Sequence, residues 1–452
     1  MRIHRKIAVI AIAGLPLSAG VLLAQNQGSE PDVKVLLRRI EELEQKVKVM
    51  DRKRELADEA VAEKAKTTPS VSLGAGGFQV RSADSNFLFR VRGNIQTDAR
   101  FFFDDTGAAN DTFLLRRVRP SFEGTLWGQY DFRVMPDFAP NTTTLMDAYA
   151  DLRFAPWFSV LVGKTKSPFA LERLVSQTSL LFVERGLPTH LGPNRDVGIQ
   201  IRGGLLDGRL DYTFGVLNGT PDNGSSVTDL DDDKEFAARL FSHPFRNTQT
   251  KALQGLGVGV AATYGEKSDT TPANYNTVNQ QTFFRFNNGV ANDGTHWRLG
   301  PQGYYYYGPF GLLAEYTISS QELRAGGTTR EIENTAWQVA VSYVLTGENA
   351  SYRGVTPARN FSLAEGTWGA WEIAARYGEL DIDDAAFPVY ANPAASATKA
   401  RSAGLGLNWY LNRNVKATLN YNWTGFDGPV TAPNSVASKV EHAIFSRVQL
   451  SF

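Results

Sequence analysis

From about residue 86 onward the chain alternates polar and apolar positions with a period of two. Asn86, Arg90, Arg92, Asn94, Gln96, Asp98 and Arg100 fall on one face of the first run, and Phe87, Phe89, Val91, Ile95 and Phe101 on the other. Such alternation marks a β-strand with two unlike faces. Gln129, Asp131, Arg133 and Asp137 likewise oppose Tyr130, Phe132 and Val134, and Arg209, Asp211 and Thr213 oppose Leu210, Tyr212, Phe214 and Val216. Sixteen strands are predicted, at 86–102, 113–127, 129–138, 144–154, 157–164, 196–204, 207–217, 234–242, 256–264, 297–307, 309–319, 334–345, 367–380, 402–410, 414–424 and 441–452.

Two earlier regions follow other rules. At 31–66, Val33, Leu36, Ile40, Leu43, Val47 and Met50 are spaced 3-4-3-4-3 among charged residues. This heptad stripe predicts a coiled-coil helix that pairs with copies of itself, one helix docked on its own domain being the plainer alternative. Residues 25–66 are assigned to this helical segment, and 67–80, opening on a Thr-Thr-Pro-Ser break, to a linker before the domain at 81–452. Residues 1–24 read as a secretory signal, with Arg2, Arg5 and Lys6 ahead of an apolar run from Ile7 to Leu23.

A soluble sandwich and a membrane barrel both alternate in this way. The sandwich hides its apolar faces in a core, whereas the barrel turns them to lipid and its polar faces to a watery lumen. Strand length favours the barrel, since about 9–11 residues suffice to cross a bilayer and five or six are usual in globular sheets. Aromatic clusters at strand ends, such as Phe101-Phe102-Phe103, Trp157-Phe158 and Trp409-Tyr410, suit an interfacial girdle. Brief turns alternate with long connections at 165–195, 218–233, 265–296, 320–333, 381–401 and 425–440, as in outer-membrane barrels. The connections 243–255 and 346–366 are long where a turn is expected. The predicted fold is therefore an all-β, sixteen-stranded antiparallel transmembrane barrel behind a helical segment that hangs into the periplasm.

Composition narrows the chemistry. Among 452 residues there is no cysteine, which removes disulfide scaffolds, thiol catalysis and cysteine-based metal sites. The five histidines show no metal-ligand spacing, and no nucleophile–base motif stands out. No enzyme activity, cofactor, metal or nucleic-acid partner is expected. Asp231-Asp232-Asp233 could hold a divalent cation but reads more simply as a solvated loop. Charge balances, with 47 basic and 47 acidic side chains, and residues 67–452 are slightly acidic yet hold far more Arg than Lys. Arg offers a flat fork of donors that grips an oxyanion in pairs.

The Arg positions are the strongest functional signal. Alternation through Leu115 to Glu123 sends Arg117 and Arg119 into the lumen, and Arg116 outward unless the strand carries a bulge or starts near the rim. Arg90, Arg92 and Arg133 also lie on polar faces; on the lipid face each would cost roughly 2–4 kcal/mol. Some of these cations will simply pair with acids on adjacent strands. The connection 165–195 is too apolar to wave in water, and folding it into the barrel would cover Leu174, Val175, Leu180, Leu181, Phe182 and Val183. Lys164, Lys166, Arg173, Arg185 and Arg195 would then add positive charge at a constriction.

The chain resembles the phosphate-selective porin family. The likeness rests on Arg116-Arg117-Val118-Arg119-Pro120-Ser121-Phe122-Glu123-Gly124-Thr125, Phe132-Arg133-Val134-Met135-Pro136-Asp137-Phe138, Gly163-Lys164-Thr165-Lys166-Ser167-Pro168, Phe182-Val183-Glu184-Arg185-Gly186-Leu187-Pro188 and Pro193-Asn194-Arg195-Asp196-Val197-Gly198. It implies a trimeric porin of the Gram-negative outer membrane, seated in its lipid. Its third loop would fold inward, and an Arg-rich path would pass phosphate, polyphosphate or other small anions. Arg116 and Arg117 carry over most directly, then Lys164 and Lys166, then Arg133, Arg173 and Arg185. A general-diffusion porin or an envelope-tethering barrel are the alternatives.

Overall fold

The computed structural model describes residues 30–103, 109–139, 141–229, 231–430 and 438–452; the signal expected at 1–24 lies outside them. The chain divides into two units, Met1–Lys66 and Thr67–Phe452. In the first, α1 (Glu30–Thr67) is a single helix of 38 residues.

The second unit is built on strands β1 (Ser70–Gly74), β2 (Gly77–Arg81), β3 (Leu88–Phe102), β4 (Thr112–Leu126), β5 (Tyr130–Asp137), β6 (Thr144–Ala155), β7 (Phe158–Lys166), β8 (Arg195–Leu205), β9 (Leu210–Leu217), β10 (Glu235–Ser242), β11 (Leu256–Thr270), β12 (Tyr275–Asn276), β13 (Thr282–Phe284), β14 (Ala291–Tyr307), β15 (Phe310–Ala325), β16 (Thr328–Val344), β17 (Ala370–Asp381), β18 (Lys399–Tyr410), β19 (Val415–Val430) and β20 (Ser438–Ser451). Strands β3–β11 and β14–β20 pair antiparallel in chain order, and β20 returns to β3 with Leu450 opposite Ile95 and Phe445 opposite Arg100. These sixteen strands close a barrel, which leaves no unpaired edge for lipid to meet.

The barrel is inside-out relative to a globular sheet. On β3, Gln96 and Asp98 are at most 1% exposed while Ile95, just before them, is 40% exposed; on β4, Arg117 is buried and Leu115 is 55% exposed. The apolar outer face suits acyl chains and the polar inner face lines the lumen.

All sixteen predicted strands form, but several run further at the long-loop end. β16 starts at Thr328, where Thr329, Arg330, Glu331 and Glu333 put polar groups on both faces. Alternation vanishes there although the ladder continues, with Arg330 opposite Leu323. The expected linker 67–80 also differs, because it holds the hairpin β1–β2. Val71, Leu73, Phe78 and Val80 alternate about an Ala75-Gly76 turn, and Gly77, which opens β2, sits at φ +91, where a Cβ would meet the Val91 carbonyl oxygen. β20 pairs with β3 only from Asn94 onward, so β2 takes the edge that remains, with Phe78 opposite Val91 and Arg81 opposite Leu88.

Several connections fold inward. Tyr275, Phe283 and Phe284 pack with Tyr390, Ala386 and Ala397, and with Leu187 and Leu191 of the 167–194 connection, against Leu323, Ile332 and Leu380 of the wall. From the opposite, short-turn end, the long connection 345–369 turns back into the barrel, where the Tyr352 hydroxyl donates to the Leu171 carbonyl at 2.7 Å. That is why this connection breaks the turn-length rule.

Candidate functional site

The connection between β7 and β8 carries a short helix, α2 (Leu171–Leu174), and a single 3-10 turn, Leu187–Leu191. Its backbone is tied to strands all round the lumen. Gln449 Nε2 donates to the Thr178 carbonyl at 3.1 Å, Lys416 Nζ to that of Leu180 at 2.6 Å, and Asn408 Nδ2 to that of Leu181 at 3.0 Å. Arg447 donates to the Val183 carbonyl at 2.6 Å and Arg376 to that of Glu184 at 3.0 Å. Glu172 accepts from the Gly186 amide and from Gln338 Nε2, both at 2.8 Å. The expectation that this apolar segment seeks cover inside the barrel therefore holds, with Phe169, Leu171, Phe182 and Val183 all buried.

At Gly186 the loop backbone lies directly against Gln338 of the wall. A Cβ there would sit 1.7 Å from Gln338 Oε1, and Gln338 cannot swing away without breaking its bonds to Glu172 and Glu315. Gly186→Val is expected to lift the loop and raise single-channel conductance. Unchanged conductance in the folded variant would show that the loop does not set the bore.

Folding this segment inward encloses a cavity of about 220 Å3 against β4 and β8. Six arginines line it, Arg116, Arg117, Arg119, Arg173, Arg185 and Arg195, with the single carboxylate Glu184. Arg116 reaches it because of a β-bulge. Gln96 pairs with Arg117 and Thr97 with Leu115, so Arg116 has no partner residue and turns inward. Its guanidinium grips both Glu184 oxygens, at 2.6 and 3.2 Å.

Glu184 is a hub. Arg100 lies 2.7 Å, Arg447 3.3 Å and Arg117 3.7 Å from its oxygens, and Arg100 and Arg447 also share Asp98. Burial would raise the Glu184 carboxyl, but Arg116, Arg117, Arg447 and Arg100 together hold it well below the usual carboxylate range. Burial, aided by Arg173, pushes His190 down to about 3, so its ring stays neutral. With His190 neutral throughout about pH 5 to 8, His190→Gln should leave the pH profile of ion selectivity in KCl unchanged across that range. A step near the usual histidine range that this substitution abolishes would contradict this.

Two buried donors of the cavity's lining arginines are unpaired among the described residues. Arg117 donates to Gln96 Oε1 at 2.7 Å, yet its Nε has no hydrogen-bond partner, and neither has Arg173 Nε, although Arg173 Nη2 donates to the Thr189 carbonyl at 2.5 Å. Arg119 is held by Asp137 at 2.7 Å and Gln177 at 3.1 Å, and Arg195 by Asp147 at 2.8 Å. Arg119, Gln177 and Arg195 also line a second cavity of about 760 Å3 toward the short-turn end, so the two spaces abut at these side chains. Arg92, Arg133, Lys166, Arg202, Arg239 and Arg413 line the larger one.

The predicted residues divide accordingly. Arg116, Arg117, Arg119, Arg173 and Arg185 surround the small cavity, and Arg92, Arg133 and Lys166 the larger. Lys166 and Arg185 also clamp the loop, both donating to the Val175 carbonyl. Two are not brought there. Arg90 reaches Gln79 of the hairpin at 3.2 Å, and Lys164 is buried in β7 outside both linings. Sequence reasoning missed the hub, because Arg100, Arg447 and Glu184 meet only once the barrel closes. Asp231 and Asp233 serve the loop, accepting from the Ser268 amide and hydroxyl.

Comparison with known proteins gives a consistent picture. The family described as phosphate-selective porin O and P matches residues 89–452. Porin O of Pseudomonas aeruginosa is 27% identical over 386 residues, covering 76% of this chain and 85% of the relative. Among solved structures, the outer-membrane channel DcaP of Acinetobacter baumannii superposes with a TM-score of 0.54 at 13% identity, over 83% of this chain and all of that one. The anion-selective porin from Comamonas acidovorans gives 0.52 at 12% identity, over 81% and 100%. The trimer form of Vibrio cholerae OmpT gives 0.52 at 13%, over 81% and 99%. At such identities the structural likeness speaks for the fold alone.

Proposed function

Because the chain belongs to the phosphate-selective porin O and P family, and is thus a porin of the Gram-negative outer membrane, we propose that its channel is anion-selective and passes phosphate or polyphosphate through the arginine-lined constriction. Family and fold indicate a channel rather than an enzyme. The observation that carries the proposal is the small cavity itself, with six arginines, one carboxylate and unpaired buried donors on Arg117 and Arg173.

The path runs from the long-loop, extracellular end to the short-turn, periplasmic end. An oxyanion entering the small cavity exchanges water for charge-assisted bonds from Arg116, Arg117, Arg173 and Arg185. It then meets Arg119 and Arg195, and next Arg133, Arg92 and Lys166 in the wider space. Most of these cations already face an acid, as Arg133 faces Glu123 at 2.8 Å and Asp147 at 3.6 Å. Partial neutralisation keeps each site weak, and several weak sites in series allow release. The assembly is proposed to be a homotrimer, in line with the trimer form of the Vibrio cholerae protein.

Purified protein in a planar bilayer tests the reading. Added phosphate should reduce the chloride current saturably, as an ion that dwells in the constriction must. Chloride current untouched by phosphate would favour a general-diffusion pore.

A further inference from the structure

The helix α1 carries an apolar seam that is open among the described residues: Val33, Leu36, Ile40, Leu43, Val47 and Met50 are each at least half exposed. Placed on a heptad, positions a are Val33, Ile40, Val47, Arg54 and Val61, and positions d are Leu36, Leu43, Met50, Ala57 and Lys64. The flanking positions follow a strict sign rule. The g positions before the second, third and fourth a residues are Arg39, Lys46 and Lys53, and the e positions after the second, third and fourth d residues are Glu44, Asp51 and Asp58.

In a parallel, in-register coiled coil each g residue lies beside the e residue of the next heptad on its neighbour. That sets Arg39 against Glu44, Lys46 against Asp51 and Lys53 against Asp58, every pair of opposite charge. In an antiparallel pair g meets g and e meets e, so each contact would join like charges. The flanking charges are also uncommitted within the helix. Arg52 pairs with Glu55 at 2.9 Å and Glu59 at 3.8 Å on the outer face, and Arg39 only loosely with Glu42 at 3.9 Å. Among the described residues, Glu44, Lys46, Asp51, Lys53 and Asp58 make no ion pair. Arg54 inside the seam fits as well, since one polar a position fixes register at some cost in stability.

We infer that α1 binds the α1 helices of further copies of this chain, parallel and in register, through its heptad seam and these three charge pairs. Copies whose barrels enter one membrane in one orientation begin their preceding helices from the same side, which a parallel bundle requires. The inference does not depend on which ion the pore selects.

The full-length chain has no native cysteine, so introduced thiols report cleanly. Leu36→Cys and Met50→Cys, at opposite ends of the seam, are each expected to give a same-residue disulfide-linked dimer on mild oxidation in the membrane. Reversing Arg39, Lys46 and Lys53 to Glu should cut that product at least fivefold. Adding Glu44→Lys, Asp51→Lys and Asp58→Lys should restore it. Normal single-channel current in every variant certifies a folded barrel. Monomer only at both cysteine positions would overturn the inference, and so would cross-linking indifferent to the charge reversal.

Discussion

Arg117→Ala is expected to weaken phosphate block of the chloride current by about 10- to 100-fold. A hydrogen bond to a charged group contributes roughly 1.5–3 kcal/mol, and each 1.4 kcal/mol is about tenfold in affinity. Arg117 is the choice because it lines the small cavity with its guanidinium fixed by Gln96 and its Nε left without a hydrogen-bond partner among the described residues. Arg117→Lys keeps the charge but loses the flat fork, so its block should fall between the two. Arg90→Ala supplies the contrast, since Arg90 lies at the hairpin and outside both cavities, and its block should match the unaltered protein. Equal block in Arg117→Ala and Arg90→Ala would remove Arg117 from the binding site.

Glu184→Gln should act in the opposite direction and at least as strongly. The Glu184 carboxylate is shared by Arg100, Arg116, Arg117 and Arg447 and stands where an anion would otherwise dwell. Removing one negative charge about 5 Å from a bound anion, at an effective dielectric constant of about 20, favours that anion by about 3 kcal/mol. Phosphate block should strengthen by about two orders of magnitude, and chloride current should fall as release slows. Asp98 still holds Arg100 and Arg447 at 2.8 and 2.6 Å, so the wall keeps its counter-charge. Weaker block in a folded Glu184→Gln channel would mean that Glu184 props the site open rather than competing with its ligand.

The barrel was legible because its signal is local. Polar and apolar residues alternate in each strand, and neighbours in sequence become neighbours in the sheet. The inward turn of 165–195 was legible for a like reason, as Phe182 and Val183 need cover. The same reasoning applies to Val278, Phe283, Phe284 and Tyr390, whose packing over the long-loop end could have been anticipated from their apolarity. The Arg116 bulge had no local mark, and only the pairing of Thr97 with Leu115 displays it. The Glu184 hub depends on closure and register, since Asp98 and Arg447 lie 349 residues apart in sequence and touch only where β3 meets β20. What a single acidic residue in Phe182-Val183-Glu184-Arg185 could suggest was a buried charge in need of cations, though not which ones.

Inward guanidiniums are proposed to make the lumen favour anions despite its many acids. The zero-current potential of the unaltered channel across a KCl gradient decides this. Chloride moving preferentially toward the dilute side should leave that side negative. A dilute side at zero or positive potential would rule out an anion-selective lumen.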